Sequence, residues 1–201
     1  MAEQFLETLT TPAVRRAQAH YYGRERASHH TSGRDPLGDD ERAFIEARDS
    51  FYMATVTEDS WPYVQHRGGP RGFLRVINPG QLAFADYKGN RQLLTTGNLA
   101  MNDRVTLFLM DYPNRTRLKI IGHARSKDAQ EHPELFAKLA DSEPARVVER
   151  FVFVDVISFD WNCPQYITPR YTLTEMEALI APLKKRIAEL EGRVPVPAAK
   201  D

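Results

Sequence analysis

The chain has 201 residues, 42% of them hydrophobic, and its 27 basic side chains balance 27 acidic ones. That length suits one well-buried core with helical appendages and argues against a second full domain; the balanced charge gives no global field for nucleic acid or an anionic membrane. The single cysteine, Cys163, excludes an internal disulfide and a multi-cysteine metal site, and with neither a signal-peptide pattern nor a bilayer-length apolar run the expectation is a soluble, cytoplasmic protein.

In chain order, Thr11 followed by Pro12 has the form of an N-cap with proline at the first helical position, which predicts a helix to about Tyr22 before Gly23. The stretch from Arg24 to Gly38 is polar and without period, so residues 1–38 read as a helix and a polar arm. His29 and His30 are adjacent and point apart, with no carboxylate or cysteine motif beside them, so no metal site is expected. Asp39 or Asp40 can cap a short helix carrying Ala43, Phe44 and Ala47 on one side. Phe51 to Thr57 and Trp61 to Val64 read as one hairpin, and Phe73 to Ile77 with Gln81 to Asp86 as a second around the Asn78-Pro79-Gly80 turn.

A short helix is predicted over Arg91 to Met101. Arg104 to Asp111 and Arg115 to Arg125 alternate across the Tyr112-Pro113-Asn114 turn as antiparallel neighbours, and a further helix is predicted over roughly Asp128 to Ala140. Phe151 to Trp161 reads as a strand buried on both faces, with Phe151, Phe153 and Ile157 on one and Val152, Val154 and Val156 on the other. Six or seven strands with hairpin connections favour a closed antiparallel barrel, because closure removes exposed edges. Thr174 and Glu177 have capping-box spacing, and Leu179, Leu183, Ile187 and Leu190 follow at helical spacing, interrupted by Pro182. This helix packs on its own barrel or meets a second subunit. Residues 193–201 cannot continue it and read as a mobile tail.

Three clusters can carry chemistry. Gln65-His66-Arg67-Gly68-Gly69-Pro70 ends a strand, with glycines that let backbone approach a ligand and an arginine able to grip a phosphate, although Gly-Gly-Pro is also ordinary turn chemistry. Phe84-Ala85-Asp86-Tyr87-Lys88-Gly89-Asn90-Arg91-Gln92 reads as a strand entering a glycine turn that opens a helix. Such a junction favours an anion, with Lys88 and Arg91 adding charge, and it reads equally as a plain connection with solvated basic residues. Trp161-Asn162-Cys163-Pro164-Gln165-Tyr166 combines stacking, hydrogen-bonding and thiol groups, or is an aromatic anchor plus a loop.

Together and in this order, the three clusters with Phe51-Tyr52-Met53-Ala54-Thr55-Val56 and Asn102-Asp103-Arg104-Val105 resemble the pyridoxamine 5'-phosphate oxidase-related family of flavin-binding split barrels, over roughly Phe44 to Arg170. The resemblance implies a mainly β (α+β) fold: a six-stranded antiparallel split β-barrel over residues 39–171 with peripheral helices, including a C-terminal one over 172–192. It implies a homodimer with FMN at the interface, its phosphate near Asp86 and held by Arg67 and the Lys88 to Gln92 turn. Backbone near His66 and Gly68 and the side chain of Gln165 or Asn162 would line the flavin ring; Trp161 packs against the flavin, walls the substrate pocket or is structural, and Cys163 is a redox-sensitive thiol near the ring or an inert small residue. Asn90 and Gln92 stand where the family has serine and lysine, which keeps hydrogen bonding but removes one charge, so Arg67, Lys88 and Arg91 have to balance the phosphate.

The family's substrate-binding Arg-x-His has no counterpart, so pyridoxamine phosphate oxidation is not expected. The implied activity is that of an FMN-dependent oxidoreductase acting on an unassigned small molecule, with NAD(P)H as a candidate electron donor. No catalytic residue is assigned, and His66 is open between proton transfer and a structural role. A non-catalytic flavin-binding module, and a split barrel that uses deazaflavin or haem, are the alternatives.

Overall fold

The computed structural model describes residues 3–25, 33–140, 147–161 and 164–191. His29, His30, Asn162, Cys163 and the tail therefore lie outside the described residues. Helix α1 (Glu3–Leu9), which the sequence reading did not single out, precedes α2 (Pro12–Tyr22). The second helix is bounded as its sequence dictates: the Thr11 hydroxyl accepts from the Val14 N–H at 3.4 Å, and Gly23 closes it at φ 67°, where a side chain would be strained. In α3 (Asp39–Glu46) the residue before the helix is Gly38, whose N–H donates to the Glu41 carboxylate at 2.9 Å. Ile45, not Ala43, is the side chain it buries.

The core of the molecule is one antiparallel sheet of seven strands in the order β2-β1-β5-β6-β7-β4-β3. Its members are β1 (Ser50–Val56), β2 (Pro62–Gly68), β3 (Arg75–Asn78), β4 (Gln81–Tyr87), β5 (Arg104–Asp111), β6 (Thr116–Asp128) and β7 (Val148–Trp161). Long β6 and β7 form the spine, paired from Leu118 opposite Trp161 to Asp128 opposite Arg150. Alternation then sorts the side chains. Phe51, Met53, Leu82, Phe84, Leu107, Leu109, Ile120 and Val154 fill the main core. Ala83, Ala85, Phe151 and Phe153 point the other way, into a second cluster under Leu139 and Val148. Both faces of β7 are thus buried over Phe151 to Val154, as that unbroken apolar run requires.

The sheet curls until its ends meet. Phe51, on the second strand in order, lies 5.2 Å edge-to-face from Phe84 on the sixth, and Phe73 stacks on Phe51 at 5.5 Å. Closure by backbone stops short, because β3 pairs only with Gln81–Ala83 of β4. The far half of β4 instead faces β2 through side chains, which is the seam of a split barrel. Helix α3 guards the free edge of β3: the Arg42 guanidinium donates to the Val76 carbonyl at 2.9 Å, and the Glu46 carboxylate accepts from the Val76 N–H at 3.3 Å.

Three predicted elements are corrected. Helix α4 spans Leu94–Met101 and starts after Arg91, because Arg91 and Leu93 hold φ of 62° and 55°, which a right-handed helix cannot include. The helix expected over 128–140 reduces to a 3-10 turn (Pro133–Leu135) and one turn of α5 (Phe136–Leu139); pairing with β7 keeps the chain extended as far as Asp128. The last helix, α6 (Leu173–Glu191), is capped two residues earlier than its spacing indicated. Thr172 N–H donates to Glu175 at 2.8 Å, and Glu175 N–H donates to the Thr172 hydroxyl at 3.2 Å. It contains Pro182 and buries no residue, so its apolar stripe of Leu179, Leu183, Ile187 and Leu190 is not covered by its own barrel. Among the described residues, no helix is long and apolar enough to cross a membrane.

A candidate anion cradle at the barrel seam

Residues 62–68 of β2 alternate between exposed and half-buried, and the half-buried set is Tyr63, Gln65 and Arg67. These three face the end of β4 and the start of α4 across the seam, enclosing a cavity of about 40 Å³. On the same measure one water needs roughly 10–15 Å³, so the space admits an oxyanion rather than a ring system. The Gln65 side-chain oxygen accepts from the buried Thr95 hydroxyl at 2.9 Å, which ties the first turn of α4 to β2.

Asp86 is the centre of the charge arrangement. Its carboxylate is buried and accepts from Arg67 Nη1 on one oxygen and from Arg150 Nε at 3.0 Å on the other. Arg150 also donates to Glu149 at 2.9 Å. The Arg67 side chain is only 14% exposed, and its Nε is buried without a hydrogen-bond partner. A buried guanidinium N–H left unpaired costs about 1–3 kcal/mol, so an oxygen ligand that accepted from this donor would be favoured. Beyond β4 the chain makes a tight turn: the Asn90 side-chain oxygen accepts from Gln92 N–H at 3.1 Å, and the Asn90 amide donates to the Gln92 side chain at 3.0 Å. Gly89 keeps a negative φ. The left-handed backbone of this turn sits at Arg91 and Leu93. Three guanidiniums (Arg67, Arg91, Arg150) and two carboxylates (Asp86, Glu149) line the cavity, a donor set suited to phosphate.

The structure thus gathers Arg67, Asp86, Asn90, Arg91 and Gln92 and leaves Lys88, His66, Gly68, Trp161 and Gln165 outside the cavity lining. The Lys88 side chain is exposed and outside the cavity lining, while its backbone N–H donates to Val147. His66 faces the opposite side of β2 and meets the Tyr52 ring at 5.5 Å. Gly68 is exposed at the strand end, where an added Cβ would come within 3.2 Å of the His66 ring. Trp161 serves packing: its indole N–H donates to Glu41 at 2.6 Å, and its ring meets Phe44 edge-on at 4.8 Å. Gln165 is exposed. Among the described residues, no three His, Cys, Asp or Glu side chains converge as metal ligands would.

Glu149 and Arg150 were missed because the strand was predicted to begin at Phe151. The available signal was a charged pair directly ahead of an otherwise apolar run. On the outer side of the sheet a larger cavity, of about 550 Å³, opens between the start of β1, the β5–β6 turn and the start of α6. Within it Tyr112 hydrogen-bonds Tyr52 and lies under the Arg170 guanidinium at 5.1 Å; burial first, and that bond second, push the Tyr112 phenol above its ordinary range.

A profile of the family described as pyridoxamine 5'-phosphate oxidase matches residues 37–157, more than half of the chain. The chain belongs to the pyridoxamine 5'-phosphate oxidase family. The matched span holds every cradle residue and ends before Trp161 and Gln165. Among solved structures, this family member resembles Group A Streptococcus HupZ at 10% identity, with a TM-score of 0.50 over 67% of this chain and 99% of that one. It is also similar to an FMN-binding protein of Syntrophomonas wolfei at 11% identity, with a TM-score of 0.47 over 61% and 83% of the two chains. An F420 reductase matches at 17% identity, with a TM-score of 0.47 over 62% and 98%. The likeness to HupZ concerns fold alone. Among curated proteins, none matches the chain by sequence.

Proposed function

We propose that the protein binds FMN by its phosphate in the seam cradle and works as an FMN-dependent oxidoreductase on a small molecule. The observation that carries this reading is the buried, unpartnered Nε of Arg67, a residue that lines a cavity of oxyanion size between a family-matched strand and the Asn90–Gln92 turn. Arg67 and Arg91 would grip the phosphate, and the Asn90 and Gln92 amides would supply hydrogen bonds where the family carries serine and lysine. FMN, once held, supplies two-electron redox chemistry that no side chain of this cluster has. The names of two fold neighbours, one FMN-binding and one acting with F420, are in keeping with a flavin-type cofactor.

The same reading makes the protein a homodimer with the flavin ring between subunits and NAD(P)H as candidate reductant. Its support is the apolar surface left uncovered: the α6 stripe, with Val64 and Tyr52 on the outer face of β2 and β1. Flavin fluorescence titration tests the cofactor. Arg67→Ala and Arg91→Ala should each weaken FMN binding by roughly tenfold or more, since a hydrogen bond to a charged group contributes about 1.5–3 kcal/mol. Unchanged affinity in both would refute the phosphate assignment, and steady NAD(P)H consumption by the loaded protein separates a catalyst from a carrier.

A further inference from the structure

We infer that Arg150, on the opposite wall of the seam from Arg67, is a direct ligand of the bound phosphate and supplies the charge that the sequence seemed to place on Lys88. The inference rests on the phosphate reading above and extends it to a residue on a different strand.

The geometry begins with an irregularity in the sheet. Opposite β4, Arg150 pairs with Asp86 and Val148 with Tyr87, which leaves Glu149 as an extra residue on β7. In a regular strand neighbouring side chains point to opposite faces; a bulge breaks that alternation and re-aims them. Glu149 and Arg150 consequently both line the cradle. Arg150 is a half-buried cation, with its side chain 18% exposed. Its Nε and Nη2 are committed to Asp86 and Glu149, and Nη1 makes no hydrogen bond to a described residue. Two guanidiniums share the single buried carboxylate of Asp86, and Arg91 has no acidic partner among the described residues, so the lining is one positive charge in excess. That excess charge is Arg91, which is exposed in the cradle lining, and a phosphate set among the three guanidiniums would neutralise it. Arg67 from β2, Arg91 from the turn and Arg150 from β7 approach from three sides, as a tetrahedral phosphate with three free oxygens requires.

The test measures FMN and riboflavin affinity side by side, because riboflavin lacks only the phosphate. In the parent protein FMN should bind far more tightly than riboflavin. Arg150→Gln should weaken FMN by about tenfold or more while moving riboflavin less than twofold. Arg150→Lys, which keeps a charge beside Asp86 but loses the fork, should fall between the two and guards against a glutamine variant that fails to fold. FMN affinity within twofold of the parent in both variants, or equal losses for FMN and riboflavin, would overturn the inference. A parent protein that binds FMN no better than riboflavin would instead refute the phosphate reading itself.

Discussion

Gly122, on β6, is the position where one added carbon should do most damage. The register between β6 and β7 shifts there, with Ile121 opposite Ser158 and Gly122 opposite Val156, so Ile157 bulges out and its carbonyl accepts from the Asp35 N–H at 2.9 Å. A Cβ on Gly122 would lie 2.4 Å from the Asp155 carbonyl oxygen and 3.1 Å from a Val154 methyl. Ordinary contact begins near 3.4 Å, so two backbones would have to part by about 1 Å in the middle of the sheet's spine. Overpacking a close-packed site costs about 1–3 kcal/mol, and each ladder hydrogen bond stretched beside it about 1 more. The smaller unfolded-state entropy of alanine returns roughly 0.4–1 kcal/mol. Gly122→Ala should therefore lose about 2–3 kcal/mol in urea unfolding at unchanged m-value, equivalent to roughly 4–12 °C in Tm for a chain of this size. Gly97, in exposed α4 with nothing within 4 Å of its added Cβ, is the matched control, and Gly97→Ala should be neutral or stabilising by up to about 1 kcal/mol. A Gly122→Ala protein within 0.5 kcal/mol of its parent would refute the steric reasoning.

Burial acts to raise the Asp155 carboxyl, but hydrogen bonds from Gln81 at 2.7 Å and from Arg125 outweigh it and hold the group below the usual carboxylate range. A lowered folded value stabilises fully above the unfolded pKa of about 3.9, and that stabilisation is lost as pH falls from there through the lower folded value; Asp155→Asn should thus lower Tm at neutral pH, with the gap closing in acid, and a pH-independent gap would contradict this. If α6 meets a second copy, Leu183→Glu should shift sedimentation toward monomer without changing far-ultraviolet circular dichroism. An unchanged sedimentation coefficient would exclude that helix from the interface.

What the sequence made legible follows from how local the physics is. Thr11-Pro12 and Gly23 bounded α2 because caps act within one turn, and the two faces of β7 were readable because Phe151 to Val154 is an unbroken apolar run that Val156 and Ile157 resume. Arg67 was singled out at a strand end, Arg91 by strand-turn-helix grammar and Asp86 through the resemblance, and the three line one cavity. Arg150 was not singled out, because a bulge leaves no periodic trace and the residue's role depends on β4 lying opposite it. Lys88 was expected to add charge to the cradle; its exposure depends on the path of the turn, set by left-handed backbone at Arg91 and Leu93 that composition does not announce. The capping box of α6 was misplaced by two residues because Thr172-x-x-Glu175 and Thr174-x-x-Glu177 are equivalent as text.

The seam has a thermodynamic corollary. Hydrogen-bonded strands keep their spacing near 4.8 Å, whereas β2 and the end of β4 are joined by side chains sharing one carboxylate. An anion gripped from both walls would act as a stitch across that gap, so occupancy and barrel closure become a single linked equilibrium. Melting temperature then reports loading: a ligand at 100 times its Kd adds about 2.7 kcal/mol, and a barrel sewn shut by backbone would route none of that gain through its own closure.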